Sequence, residues 1–322
     1  MVEASSGMAL PWESAQARAY AQRMNRVMDY IDRHLDTDVR LETLAGVALF
    51  SEFHFHRVFQ AWCGETLGEY VRRRRLEVGA LYLDHHREMS VLEVAVAVGF
   101  GSGEAFARAF RRHFGVAPSQ WRASVPVRWA AQRDQLQTQQ DRKIDQMPMS
   151  ATGEDRGLIH LAGNFHMKVQ LETLPAARVA YMRHVGPYGE SVARFWAARF
   201  LPWRNAQGLE TATCYGIGWD DPGITPAARC RYDACVEVRP EFSSTSPISY
   251  AQLPGGLYAV GQFSGTLAQL GLAWTYLLRE WLAHSGRQLD HRPLLERYGP
   301  SASSDAATQT FRLELCLPVR AA

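Results

Sequence analysis

At 322 residues and 47% hydrophobic side chains, the chain is long enough for roughly two to three domains of about 100–200 residues each, and disorder is excluded as its default state. A formal net charge of +2 at a pI near 8.3 demands no polyanionic partner by itself, so any nucleic-acid reading has to rest on where the charge sits. Five cysteines (Cys63, Cys214, Cys230, Cys235 and Cys316) form no CxxC pair, and no window reaches the ~18 apolar residues of a membrane span; the chain reads as soluble and cytoplasmic, with no disulfide framework, zinc site or membrane partner.

Residues 1–22 are expected to be an N-terminal extension, and an all-α segment follows over 23–125. A short helix, Leu41 to Leu49, leads through a tight break into a second helix, where Phe55, Val58, Phe59 and Trp62 recur as an apolar stripe. Ser51 stands where its N-cap belongs and Gly64 where it should stop. The stripe leaves Phe53, His56, Arg57 and Gln60 on the outer face; His54 and His56, two apart on a helix, share no face and make no metal pair. A long helix then runs from Leu67 to His85. About 19 residues span roughly 28 Å, close to the ~34 Å between successive major-groove faces on one side of B-DNA. Arg72, Arg73, Arg74 and Arg75 point around most of this helix, so only some can meet phosphate, and the others are expected to pair with Glu69 and Glu77. His85 and His86 read as solvated.

About fifty residues on, the motif repeats. Leu44-Ala45 and Phe50 match Val94-Ala95 and Phe100 at a spacing of 50; after one inserted residue, Phe55, Arg57, Phe59 and Gly64 match Phe106, Arg108, Phe110 and Gly115 at 51. A helix from Val91 to Val98 precedes the break, Ser102 takes the N-cap and Gly115 the stop. Phe106, Ala109, Phe110 and Phe114 go inward, while Glu104, Ala107, Arg108, Arg111 and Arg112 face out. From Ala105 to Trp121 there are three arginines and His113 but no Asp or Glu. One helical hairpin with arginines is more often a solvated surface than a DNA reader. Two such helix-turn-helix motifs in register, joined by one long helix, point to DNA.

The run "EVAVAVGFGSGEAFARAFRRHFGVAPSQWR", with its first copy upstream, resembles the two-motif DNA-binding domain of AraC family transcription regulators over about 23 to 123. The resemblance implies that the second helix of each motif reads a major groove of double-stranded DNA, and that RNA polymerase is a further partner. Carried over by position, the base-reading candidates are Phe53, His56 and Arg57 in the first motif, with Gln60 beside them. In the second they are Gly103, Glu104, Ala107 and Arg108, followed by Arg111 and Arg112. Arg57 is the candidate for a bidentate guanine contact, worth ~1–3 kcal/mol of discrimination. Gly103 and Ala107 offer little to hydrogen-bond, which argues against strong discrimination by the second helix.

Residues 126–165, Gln- and Asp-rich with few large apolar side chains, read as a linker of mixed helical and irregular character. Beyond it, "MKVQLETL", "ARVAYMRHV", "TCYGIGWDD", "RYDACVEV" and "TFRLELCLPV" alternate as strands, with a helix opening near Glu190. "LPAARVAYMRHVG" and "LPGGLYAVGQFSG" superpose at a spacing of 79, each followed by a helix bearing Trp196 or Trp274. Two strand-helix-strand-strand units then make an α+β domain over 166–322, with a pseudo-two-fold axis and a cleft between the helices.

Those segments, with "GIGWDDPGITPAARCRYDACVEV" and "LLERYGP", resemble the GyrI-like effector-binding domain over about 166 to 320. The resemblance implies a small-molecule cleft for lipophilic or cationic effectors, floored by an acidic residue, Glu296 by position, and walled by aromatics. The aromatic candidates are Tyr188, Trp196, Trp219, Tyr258 and Trp274. In the second repeat "SGTL" stands where "GPY" is usual, so Leu267 makes one wall more apolar. The alternative for Glu296 is a surface charge paired with Arg292 or Arg297, and for the tryptophans an ordinary core. The leading function is a ligand-responsive, DNA-binding transcription regulator, without catalysis, cofactor or metal. Its competitors are a hydrolase using Glu296 with Tyr188 or Tyr298 as acid and base, and a protein-interaction module.

Overall fold

A computed structural model describes residues 15–131, 134, 167–244, 248–299, 302–305 and 310–321. Most of the expected linker, and residues 1–14 of the expected N-terminal extension, lie outside the described residues. Two compact units make up the chain, residues 1–119 with 241–249 and residues 120–240 with 250–322.

The first unit is helical: α1 (Ala15–Arg33), α2 (Leu41–Ala48), α3 (Glu52–Cys63), α4 (Leu67–His85), α5 (Val91–Ala97) and α6 (Gly103–Phe114); α7 (Pro118–Ala123) follows and crosses the boundary at residue 119. Helix α1 begins within the stretch read as an extension and carries Met24, Val27, Met28 and Ile31 into the core around Phe55 and Phe59. The caps act as the residue types require. Ser51 accepts from the His54 amide and Ser102 from that of Ala105, while Gly64 and Gly115 end α3 and α6 with φ of 69° and 78°. The break between α2 and α3 opens on Leu49 at φ 55°, a left-handed conformation that its counterpart in the second motif, Gly99, adopts without a Cβ to clash. Phe106 and Phe110 are fully buried, and the Phe106 ring lies where a Cβ at Gly79 of α4 would be, 2.9 Å from it.

Two expectations change here. Trp62 is 45% exposed: Cys63, the i+4 partner of Phe59, takes the inward place, and the tryptophan is turned about 100° away from it. His86 is buried rather than solvated, its Nδ1 3.1 Å from Glu88 and its ring edge-on to Tyr82.

The second unit is a ten-stranded antiparallel sheet. In chain order come β1 (Val169–Leu174), β2 (Ala177–Val185), α8 (Glu190–Phe195), a π-helical turn (Trp196–Phe200), α9 (Leu201–Ala206), β3 (Cys214–Gly218) and β4 (Arg231–Glu237). The second half repeats the plan: β5 (Ser249–Leu253), β6 (Gly256–Gly265), α10 (Leu267–Tyr276), a π-helical turn (Leu277–Trp281), α11 (Leu282–His284), β7 (Arg287–Leu289), β8 (Leu295–Tyr298), β9 (Ser303–Asp305) and β10 (Thr310–Ala321). The order β1-β6-β10-β8-β3-β4-β2-β5 reads as its own mirror when the halves are exchanged. The two halves therefore meet at the β3–β8 pair, and each lends its leading strand to the other half's edge. The strand-helix-strand-strand repeat is present, with that exchanged strand in front of each unit.

Strand alternation sorts the core into two layers. Tyr181, Tyr215, Ile217, Cys235, Tyr258, Val260, Leu295 and Cys316 form one; Ala259, Phe263, Leu313, Leu315 and Leu317 pack with Ala273 and Leu277 of the second-repeat helix in the other.

Candidate functional site

The outer face of α3 is built by what its inner face excludes. With Phe55 and Phe59 fixed in the core, Phe53, His56, Arg57 and Gln60 are left in solvent, Phe53 at 76% exposure. The Arg57 guanidinium lies 5.7 Å from the Phe53 ring centroid, and Arg57 and Gln60 border a groove with His54, Val58 and Ala61. On α6, Glu104, Arg108, Arg111 and Arg112 are exposed, whereas Gly103 and Ala107 are half-buried. Arg108 Nη1 stands 3.6 Å from Glu104 Oε2, one turn away.

Of the four consecutive arginines of α4, only Arg72 is exposed. Arg73 bridges Glu65 and Glu77, Arg74 is buried between Asp32 and Glu77, and Arg75 donates to the carbonyls of Leu35 and Thr37. The pairing with Glu77 is as expected. Glu69 is instead taken by a capping box with Thr66, so the run is mostly internal scaffolding.

In the second unit, Glu296 lies in the middle of β8, in register with Gly216 of β3. Gly216 and Glu296 thus face each other where the two halves meet. The missing side chain matters: a Cβ at 216 would overlap the Tyr232 hydroxyl and come within 2.7 Å of Glu296 Oε2. Into that room Tyr232 of β4 reaches to donate to Glu296 Oε2 at 2.7 Å, Tyr298 donates to the same oxygen at 3.1 Å, and Trp274 Nε1 lies 3.5 Å from Oε1. Trp196, at the first residue of its π-helical turn, packs its ring 4.9 Å from that of Tyr298, with its indole N–H buried. Tyr188 borders the group: its ring meets Tyr232 edge-on at 6.0 Å and its hydroxyl donates to the Arg231 carbonyl.

Burial pushes the Glu296 carboxyl above the usual carboxylate range, against the three donors that favour its ionised form. Burial and the nearby Glu296 hold Tyr232 and Tyr298 far above the ordinary phenol value, so both stay donors. No cationic side chain offsets the carboxylate among the described residues. Arg297 is engaged by Glu172 and Glu314, and Arg292 by Asp290 and the carbonyls of Leu257 and Val319, which removes the surface-pair alternative.

Glu296, Tyr188, Trp196 and Trp274 therefore come together, whereas Trp219 and Tyr258 do not join them. Glu296, Gly216, Leu315 and Gly261 are successive register partners and share a face; Trp219 and Tyr258 fall at odd steps from Gly216 and Gly261 and lie on the other. There Trp219 donates to Asp233 at 2.6 Å, and Tyr258 is fully buried beneath Arg292. Sequence reasoning did not count Tyr232 as part of the site and named Tyr298 only as a catalytic partner. The signal for Tyr298 was its i+2 spacing from Glu296 on a strand; for Tyr232 none existed without the register. Among the described residues no His, Cys, Asp and Glu group is arranged to hold a metal ion, and no helix is long and apolar enough to cross a membrane.

The paired helix-turn-helix motifs with their basic outer face, and a separate α+β unit enclosing an unpaired carboxylate among aromatic rings, define a DNA-binding protein with a small-molecule domain. Comparison with known proteins agrees. Residues 44–124 match a helix-turn-helix domain family and residues 167–320 the GyrI-like small molecule binding domain. The regulatory protein SoxS of Salmonella typhimurium is 32% identical over 104 residues, covering 32% of this chain and 96% of SoxS. YosT of Bacillus subtilis, an SPbeta prophage-derived protein named as a transcriptional regulator, is 34% identical over 133 residues, 41% of this chain and 89% of YosT. Among solved structures, an AraC-type regulator from Chromobacterium violaceum covers 32% of this chain and 91% of its own at 21% identity and a TM-score of 0.31. The EcmrR C-terminal domain covers 48% and 99% at 15% identity and 0.39. The chain belongs to the AraC-type transcriptional regulators that carry a GyrI-like small molecule binding domain.

Proposed function

We propose that this regulator responds to a lipophilic, aromatic-sized cation bound at Glu296, and that its two second helices, α3 and α6, read successive major grooves. One observation carries the effector reading: Glu296 is held by three neutral donors, with aromatic rings around it and no arginine or lysine against it. A carboxylate stripped of water and left without a counter-ion is stabilised by a cation that can itself leave water, and ring faces add ~0.5–2 kcal/mol each. On the DNA side, exposed Arg57 supports bidentate guanine recognition, and Arg72, Arg111 and Arg112 supply phosphate contacts with a steep salt dependence. RNA polymerase as a partner rests on the family resemblance alone.

The test is calorimetric titration of the full chain and its Glu296→Gln variant with a lipophilic aromatic cation and a neutral compound of the same shape. Glutamine keeps size and some hydrogen bonding but removes the charge, so cation affinity is expected to fall by roughly 1.5–3 kcal/mol while the neutral compound is unaffected. Equal losses for both, or none for either, would overturn the reading.

A further inference from the structure

The second motif carries a carboxylate where DNA should repel one. On the outer face of α6, Gly103 and Ala107 have no hydrogen-bonding side chain, so the first two turns present only Glu104 and Arg108. Their side chains are 88% and 71% exposed and 3.6 Å apart. The N-terminal part of a second helix is the part that meets base edges. A bare carboxylate there cannot face phosphate. Resting on the DNA-reading role above, we infer that Glu104 is a specificity filter that demands a cytosine under the second motif.

The chemistry of the major groove narrows the choice. Only the exocyclic amines of cytosine and adenine donate there. Adenine N6 sits beside the N7 lone pair, which opposes the second carboxylate oxygen. Cytosine N4 has the O6 of its paired guanine on one side but only the C5–H on the other, whereas adenine N6 lies between two acceptors, so a carboxylate is accepted at cytosine and penalised elsewhere. Arg108 neutralises Glu104 from one side and keeps N–H groups for O6 and N7 of a guanine one or two base pairs along. In the first motif the same two positions, shifted by 51, are Phe53 and Arg57. The arginine is common to both helices. The acceptor is not, because a phenyl ring offers an amine only a weak N–H···π contact in place of a charged oxygen. Two motifs that look alike therefore read unlike half-sites: both carry a guanine, and only the second requires a neighbouring cytosine.

The experiment selects bound sites from random duplexes with the full chain, then replaces the cytosine of the second half-site by N4-methylcytosine. The methyl group removes the major-groove N–H and leaves base pairing intact. The wild-type chain is expected to lose about tenfold in affinity, towards the low end of what one base contact supplies. Glu104→Ala is expected to ignore the methylation and to bind random DNA several-fold tighter, having lost a repulsive charge. A selected half-site without cytosine, an indifferent wild type, or Glu104→Ala with unchanged base preference and lower thermal stability would overturn the inference; the last would return Glu104 to a helix N-terminal role. Selection of guanine alone would remove this inference and leave the DNA-reading function standing. No sequence preference at all would remove both.

Discussion

Replacing Gly216 by alanine should unseat Tyr232 from Glu296. The added Cβ would lie 2.7 Å from both the Tyr232 Cζ and Glu296 Oε2, closer than real Cβ contacts come. Strand β3 is paired to β4 along its length and to β8 from Cys214 to Gly216, so its backbone at Gly216 has little room to yield. The Tyr232 ring must swing away. The loss is a 2.7 Å hydrogen bond to a carboxylate, which is worth about 1.5–3 kcal/mol, and Glu296 keeps one strong donor, Tyr298, and one long one, Trp274. Tyr232→Phe deletes the same bond without the overlap. Urea unfolding of the full chain, followed through the transition of the GyrI-like domain, should show both variants destabilised by similar amounts, and the double variant by less than their sum, because one bond is removed in each case. A Gly216→Ala protein within about 0.5 kcal/mol of wild type, with unchanged cation affinity, would refute the placement of Tyr232 on Glu296.

Because burial raises the Glu296 carboxyl above its ordinary 4.5, the folded domain holds that proton more tightly than the unfolded chain. The resulting stabilisation is complete below the unfolded value and lost as pH rises through the folded one; cation affinity runs the other way. Calorimetry from about pH 4 to 8 should therefore show affinity falling on acidification with a midpoint above 4.5, and Glu296→Gln should flatten the profile. Arg74→Ala leaves the buried Glu77 with Arg73 as its remaining ion-pair partner and takes Arg74 away from Asp32, and is expected to destabilise the DNA-binding unit by about 1.5–3 kcal/mol in thermal unfolding, whereas Arg72→Ala should leave stability unchanged and reduce the salt slope by about one. Arg57→Ala should relax preference at one base by about 1–3 kcal/mol, while Arg112→Ala weakens all sequences alike; mobility shifts against a panel of single-base variants separate the two, and uniform weakening by Arg57→Ala would rule out its direct readout.

Local chemistry made much of this protein legible from sequence. Phenylalanines at helical spacing, serines and glycines at the ends of α3 and α6, and two Leu-Pro hairpins at a spacing of 79 are signals carried within a few residues, and each is decided by backbone geometry and side-chain size. They gave away the two helix-turn-helix motifs and the repeat in the sheet; Glu296 was singled out by the resemblance of "LLERYGP" to the GyrI-like domain, not by local chemistry. What needed the tertiary structure was every question of which surface a side chain finally meets. Arg73, Arg74 and Arg75 look like a phosphate-binding run until Asp32, Glu65 and backbone carbonyls from elsewhere in the unit take them up. Trp62 and Cys63 are both plausible successors to Phe59, and only the core decides which is buried. Trp219 and Tyr258 are aromatic in the right segments but one step out of phase with Glu296, and a strand's two faces are indistinguishable until the register of its neighbours is known. Tyr232 lies at Glu296 because Gly216, a residue defined by the side chain it lacks, leaves room for its hydroxyl to reach a carboxylate 64 residues further along the chain.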